Sequence, residues 1–314
     1  MNLNKIITIA AAALLNTAIA GAQSPQLIDS IKGEINLFVA NDTGRNGYYK
    51  QKAIADKMGE MADAIGPEAV IAIGDIHHYL GIESVDDPLW MTNYELIYTH
   101  PELMIPWHPV LGNHEYEGNT QAVIDYSSKS RRWQMPARYY TKSWENDGTT
   151  IRLVMVDTAP LIDKYRNSDE HPDARKQDMN RQLQWVDSVL NTANEDWVIV
   201  AGHHPIYAQT SKTESERTDL QKRLKPILLK HKVAAYINGH IHNFQDITMP
   251  DSPIHYVTNS AGALSRKVKP TEGTQYCSPS EGFSIITADK DRLSIHFIDA
   301  DGNRLHVIEL DKQK

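Results

Sequence analysis

Five short clusters of aspartate, histidine and asparagine each stand where a hydrophobic run gives out, and they constrain this chain more than any other feature. In order they are Asp42-Thr43-Gly44, Gly74-Asp75-Ile76-His77-His78, Gly112-Asn113-His114-Glu115, Gly202-His203-His204 and Gly239-His240-Ile241-His242. The runs before them, 34–41, 69–73, 107–111, 197–201 and 233–237, read as strands, and AVIAI at 69–73 is apolar throughout, as a strand covered on both faces must be. Loops that follow strands in an open α/β sheet are where such folds keep their sites. Oxygen and imidazole ligands gathered there suit two adjacent cations of the iron, zinc or manganese kind better than calcium or magnesium. The lack of thiolates excludes a structural zinc knuckle.

The rest of the chain fits a layered protein. Ile54, Met58, Met61 and Ile65 recur at helical spacing, which predicts a helix over 49–65 closed by Gly66. Further helices are predicted over 91–99, 176–190 and 219–231. Paired strands are predicted over 139–144 and 151–156, and the last third reads as all-β at 254–258, 283–288, 293–298 and 305–310. Asp301-Gly302 supplies the turn between the final two. Helices between strands early and hairpins late predict an α/β fold with mixed sheets. The polar stretch 163–178 reads as a solvated loop, and Cys277 as a bystander in another.

Bulk properties narrow the function. The chain has 314 residues and a formal net charge of −8, with no basic footprint for nucleic acid. Residues 1–22 have the make-up of a secretory signal peptide: Lys5, an apolar run at 6–15, and small residues at Ala18, Ala20 and Ala22. We expect an exported protein, periplasmic or secreted, with residues 23–314 as one domain and no membrane association after cleavage. With Cys277 the only cysteine, the mature chain is expected to hold together by its core rather than by disulfides.

The order D-x-G, G-D-x-x-H, G-N-H-E, G-H-H and G-H-x-H resembles the calcineurin-like metallophosphoesterase superfamily, and within it the small purple, tartrate-resistant acid phosphatases. The resemblance implies a four-layer α/β/β/α sandwich of two mixed sheets flanked by helices. It also implies a phosphatase that hydrolyses small phosphate monoesters by attack of a metal-bound hydroxide. Carried over by position, Asp42, Asp75, His78 and His242 would surround one metal. Asp75 would bridge to a second, completed by Asn113, His203 and His240. His114 would not be a ligand but would assist the leaving group or the developing charge. The metals would be iron and zinc, or either alone, with manganese possible.

One position departs from that pattern. The family's metal-binding tyrosine, three residues after the bridging aspartate, is His78 here, and Tyr79 comes one residue late. A phenolate favours ferric iron, whereas neutral imidazole suits zinc or ferrous iron as well. We therefore expect a phosphatase that is not purple.

Several residues admit two readings. His77 is either the ligand in place of His78 or a residue behind it, and His204 either lines the cleft or packs. Glu115 either orients His114 by a hydrogen bond or is an exposed turn residue, and Asn259 with Ser260 either touches phosphate or does not. His108 reads as a half-buried strand histidine. The functional alternatives are a phosphodiesterase or nucleotide hydrolase of the same superfamily, and a catalytically idle metal- or phosphate-binding protein. Iron storage or electron transfer lacks the Glu-x-x-His pairs or cysteines it would need.

Overall fold

The computed structural model describes residues 25–259 and 261–312. The signal-like residues 1–22 and Ser260 lie outside the described residues. Thirteen strands are found among those described: β1 (Ile35–Ala40), β2 (Ala69–Ile73), β3 (Trp107–Val110), β4 (Tyr140–Asn146), β5 (Thr149–Val156), β6 (Trp197–Gly202), β7 (Ala235–Asn238), β8 (Phe244–Met249), β9 (Ser252–Asn259), β10 (Thr274–Ser278), β11 (Gly282–Ala288), β12 (Arg292–Asp299) and β13 (Arg304–Asp311).

They form two mixed sheets. One runs β13-β12-β11-β1-β2-β3, with β1, β2 and β3 mutually parallel; the other runs β10-β8-β9-β7-β6-β5-β4, with β5, β6, β7 and β9 parallel. β1 and β2 are buried along their whole length, as the unbroken apolar run of β2, and that of β1 after Asn36, require. The helix Gln51–Ile65 lies against β11 on the first sheet, and Met179–Asn191 and Lys225–Lys230 lie against β5 and β9 on the second. The expected two sheets flanked by helices are therefore present. Gly66 closes the first helix with φ 69°, its N–H donating to the Ala62 carbonyl.

The departures from expectation have physical causes. β8 (FQDITM) hides its strand character behind a buried aspartate, Asp246, which is satisfied by His255 at 2.9 Å and His306 at 3.3 Å. β10 is a short polar edge strand that carries Cys277, so that residue is not in a loop. The single helix expected over 219–231 is two, Glu214–Arg223 and Lys225–Lys230, with Pro226 opening the second. The stretch 163–178 is not a solvated loop: it contains the helix Asp163–Arg166 and buries Tyr165, His171 and Ala174. The segment 91–99 holds only one wide turn, Met91–Glu95.

Two histidines buried away from the clusters carry a pH consequence. His108 in β3 packs edge-on against Trp144, and His296 in β12 lies 3.3 Å from the Thr287 hydroxyl. Burial, with Lys142 beside the first and Arg304 beside the second, lowers each from 6.5 to about 4. Because the unfolded chain protonates these rings first, their contribution is full above pH 6.5 and is lost as pH falls towards 4. His296→Gln is expected to remove roughly 3 kcal/mol of that acid loss, read from urea unfolding at pH 7 and pH 4. An acid limb as steep as the wild type's would exclude His296 as its cause.

Candidate metal centre

The five loops leave the C-terminal ends of β1, β2, β3, β6 and β7, so parallel strands of both sheets deliver their ends to one place. Asp42, Asp75, His240 and His242 hold φ of 54°, 53°, 75° and 61°, a left-handed conformation that side chains disfavour. His240 and His242 are therefore not on extended backbone. Of the glycines before the clusters, Gly74 does supply a positive φ, 81°. Gly112 instead supplies room: a Cβ there would stand 2.2 Å from Asp75 Oδ1.

Hydrogen bonds to oxygen behind the imidazoles set which nitrogen of each ring faces the centre. His203 Nδ1 donates to the Ile73 carbonyl at 2.9 Å, and His240 Nε2 donates to Glu216 Oε2 at 3.1 Å. That leaves His203 Nε2 and His240 Nδ1 facing each other at 3.2 Å, with Asp75 Oδ2 3.2 Å from His203 Nε2. The buried carbonyl oxygen of Asn113 has no hydrogen-bond partner. Lone pairs so placed repel unless a proton or a cation lies between them. Spacings near 3.2 Å approach the edge of a tetrahedron about 3.4 Å on a side, as bonds of 2.0–2.1 Å would give.

A second group stands beside the first. His78 Nε2 is 3.5 Å from Asp75 Oδ2, and His242 Nε2 is 3.6 Å from Asp42 Oδ1, while neither ring nitrogen of His78 has a hydrogen bond. Ligand atoms of Asp42, His78 and His242 lie within 4.8 Å of one another, as do those of Asp42, Asp75 and His203. Every one of these residues is buried. The donor set fits two cations, with Asp75 touching both groups.

The electrostatics agree. Burial drives His78 and His240 well below the usual imidazole range and His242 down to about 3, so all three are neutral, the form that binds metal. Burial opposes the charge on His203 too, but Asp75 and Asp42 outweigh it and raise that ring to about 9. Burial alone would raise Asp75; His203, with His114 and His78 near, holds it well below the ordinary range. In the ion-free chain one proton on His203 thus does part of a cation's task.

The less certain residues find definite places. His77 turns away, edge-on to Trp90 and 3.4 Å from Asn93 Nδ2, so it belongs to the core. Glu115 neither orients His114 nor is exposed: its carboxylate accepts the backbone N–H groups of Asp75, His77 and Gly112 at 2.8, 3.0 and 2.7 Å, tying the second loop to the third. Asn259 is buried behind the site. Its amide donates to Asn41, whose own amide donates to Asp42 Oδ2 at 2.9 Å. His204 pairs with the Thr158 hydroxyl at 2.8 Å and packs against His240. His114 is the least buried of the group, its ring 28% exposed. Its Nδ1 lies 3.2 Å from both the Tyr79 carbonyl and Glu117 Oε1.

Two residues had gone unnoticed in the sequence, Glu216 and Lys212. Lys212 Nζ lies 3.1–3.2 Å from both ring nitrogens of His240, and burial lowers its pKa below the ordinary lysine value. No motif marks either one: Lys212 lies in the polar segment before the helix Glu214–Arg223, and Glu216 in the first turn of that helix.

The fold and this centre define a metal-dependent phosphoesterase. The family model for calcineurin-like phosphoesterases matches residues 35–244, and the chain belongs to that family. Within it, the chain is 31% identical to purple acid phosphatase 4 of Arabidopsis thaliana, over 87% of this chain and 83% of that one. It is 27% identical to tartrate-resistant acid phosphatase type 5 of Sus scrofa, over 84% and 82%. Among solved structures it shares the fold of GAP50 of Plasmodium, described as the anchor in the inner membrane complex, with a TM-score of 0.75 at 19% identity over 90% of each chain.

Proposed function

We propose that this chain is a dinuclear-metal phosphatase acting on small phosphate monoesters. The observation that carries this reading is the convergence of buried ligand atoms from Asp75, Asn113, His203 and His240 beside those of Asp42, His78 and His242. The first four would hold one ion; Asp42, Asp75, His78 and His242 would hold the other. Bound there, two cations neutralise phosphate charge and make a water acidic enough to attack near neutral pH.

The chain's own groups do the rest. His114, tethered through Nδ1, turns Nε2 towards the centre, 4.0 Å from Asp75 Oδ2, and hands a proton to the departing oxygen. Lys212 offers an ammonium to the phosphate's outer oxygens from beside His240. Tyr79 supports a centre without phenolate: it is 58% exposed, with its ring 5.4 Å from Arg45. Zinc or ferrous iron suits such a set as well as ferric iron does. The composition of residues 1–22 supports an exported enzyme. No described helix is long and apolar enough to cross a membrane.

The test compares p-nitrophenyl phosphate with its bis-ester on metal-loaded protein. The monoester is expected to be turned over at least about tenfold faster, a difference of roughly 1.4 kcal/mol in barrier. Faster turnover of the diester overturns the monoester reading in favour of a phosphodiesterase.

A further inference from the structure

The two halves of the centre are supported differently. On one side, both imidazoles are held from behind by oxygen: His203 by the Ile73 carbonyl, His240 by the Glu216 carboxylate. On the other, His78 has no such hydrogen bond. The Glu216 contact is itself built from three elements. Glu216 is 1% exposed on the helix Glu214–Arg223. Its Oε1 accepts Lys164 Nζ at 2.7 Å and the Tyr165 hydroxyl at 3.2 Å, both from the helix Asp163–Arg166. Its Oε2 is left for His240 Nε2 at 3.1 Å. A buried carboxylate whose oxygens are divided in this way is a fixed acceptor with one imidazole to serve.

We infer that Glu216, braced by Lys164 and Tyr165, is a positioning residue that sets the affinity of one ion of the pair, the one held by Asn113, His203 and His240. A carboxylate behind a ligating imidazole fixes its tautomer and makes the bare nitrogen more basic, and its loss typically weakens metal binding 10–100-fold. Glu216 reaches no ligand of the other ion, so the effect falls on one ion alone. Without Glu216, His240 is free to present a protonated Nδ1 to the centre, and the ammonium of Lys212 beside the ring then adds to the repulsion of a cation. This inference rests on the two-metal reading and is separable from it.

The experiment titrates zinc into ion-free wild type, Glu216→Gln, Glu216→Ala and Lys164→Met against a chromophoric chelator, with melting curves as a check on folding. Wild type is expected to take two ions. Glu216→Gln and Glu216→Ala are expected to keep one at wild-type affinity within about twofold and to bind the other about 10–100-fold more weakly. Lys164→Met should shift the same ion less. Glu216→Gln keeps the shape of the side chain, so it decides the matter even if Glu216→Ala fails to fold. Two ions held by Glu216→Gln at wild-type affinity, or both weakened equally, overturn the inference. A wild-type chain that takes fewer than two ions removes the underlying reading, and this inference with it.

Discussion

Asp75→Asn is expected to reduce bound metal from two ions per chain to one or none and to lower kcat/KM by roughly 10³-fold or more, about 4 kcal/mol of barrier. Its Oδ2 lies beside both ligand groups, 3.2 Å from His203 Nε2 and 3.5 Å from His78 Nε2. Asparagine keeps the shape and retains an oxygen for the His114 backbone N–H, which Asp75 Oδ1 accepts at 3.1 Å. It replaces the anionic oxygen with a neutral group at the point where two cations would otherwise be screened from each other. In the ion-free fold the change breaks the buried pair with His203 while relieving the charge on Asp42 and Glu115, two effects of opposite sign. The stabilisation that metal confers is what disappears; at an ion concentration a hundredfold above Kd it amounts to about 2.7 kcal/mol. Elemental analysis and melting curves with and without metal read both effects. Two ions retained by Asp75→Asn would remove it from the centre.

The strands that deliver the candidate ligands were legible because most are largely apolar and buried throughout, and the five clusters stand at their ends. What the residues alone could not display is everything that holds the clusters from behind. Glu115 stayed open between orienting His114 and an exposed turn because its work is to accept three backbone N–H groups, which no side-chain pattern records. Asn259 supports Asp42 through Asn41, a relation across 218 positions of chain. Glu216 was invisible for a related reason. Its helix buries Glu216 and Asp219 beside Leu220, so the periodicity that marks a buried face is written in charged residues rather than apolar ones. Tyr165 and Lys164 sat in a stretch whose polarity spoke for a solvated loop, and only their contact with Glu216 shows otherwise. Ligands at strand ends can be read from sequence; the residues that orient them depend on packing between distant segments.

His114→Ala should separate metal binding from proton transfer. The residue lies beside Asp75 and His78 but is more exposed than either, and its removal deletes one partly exposed ring and its contacts to Tyr79 and Glu117. Ion content is therefore expected to stay at two per chain, and stability to change by about 1 kcal/mol or less. Turnover is another matter. A positioned general acid contributes roughly 10²–10⁴-fold, and its value depends on how poor the leaving group is. A simple alkyl phosphate expels an alkoxide that cannot depart without a proton, so kcat for that ester should fall near the upper end of the range. p-Nitrophenyl phosphate releases a stabilised phenolate, and its loss should be at the lower end. If His114 instead only steadied charge on the phosphate, both esters would lose the same factor. The comparison of the two losses thus assigns the role, and equal activity of His114→Ala on both esters would remove the residue from the mechanism.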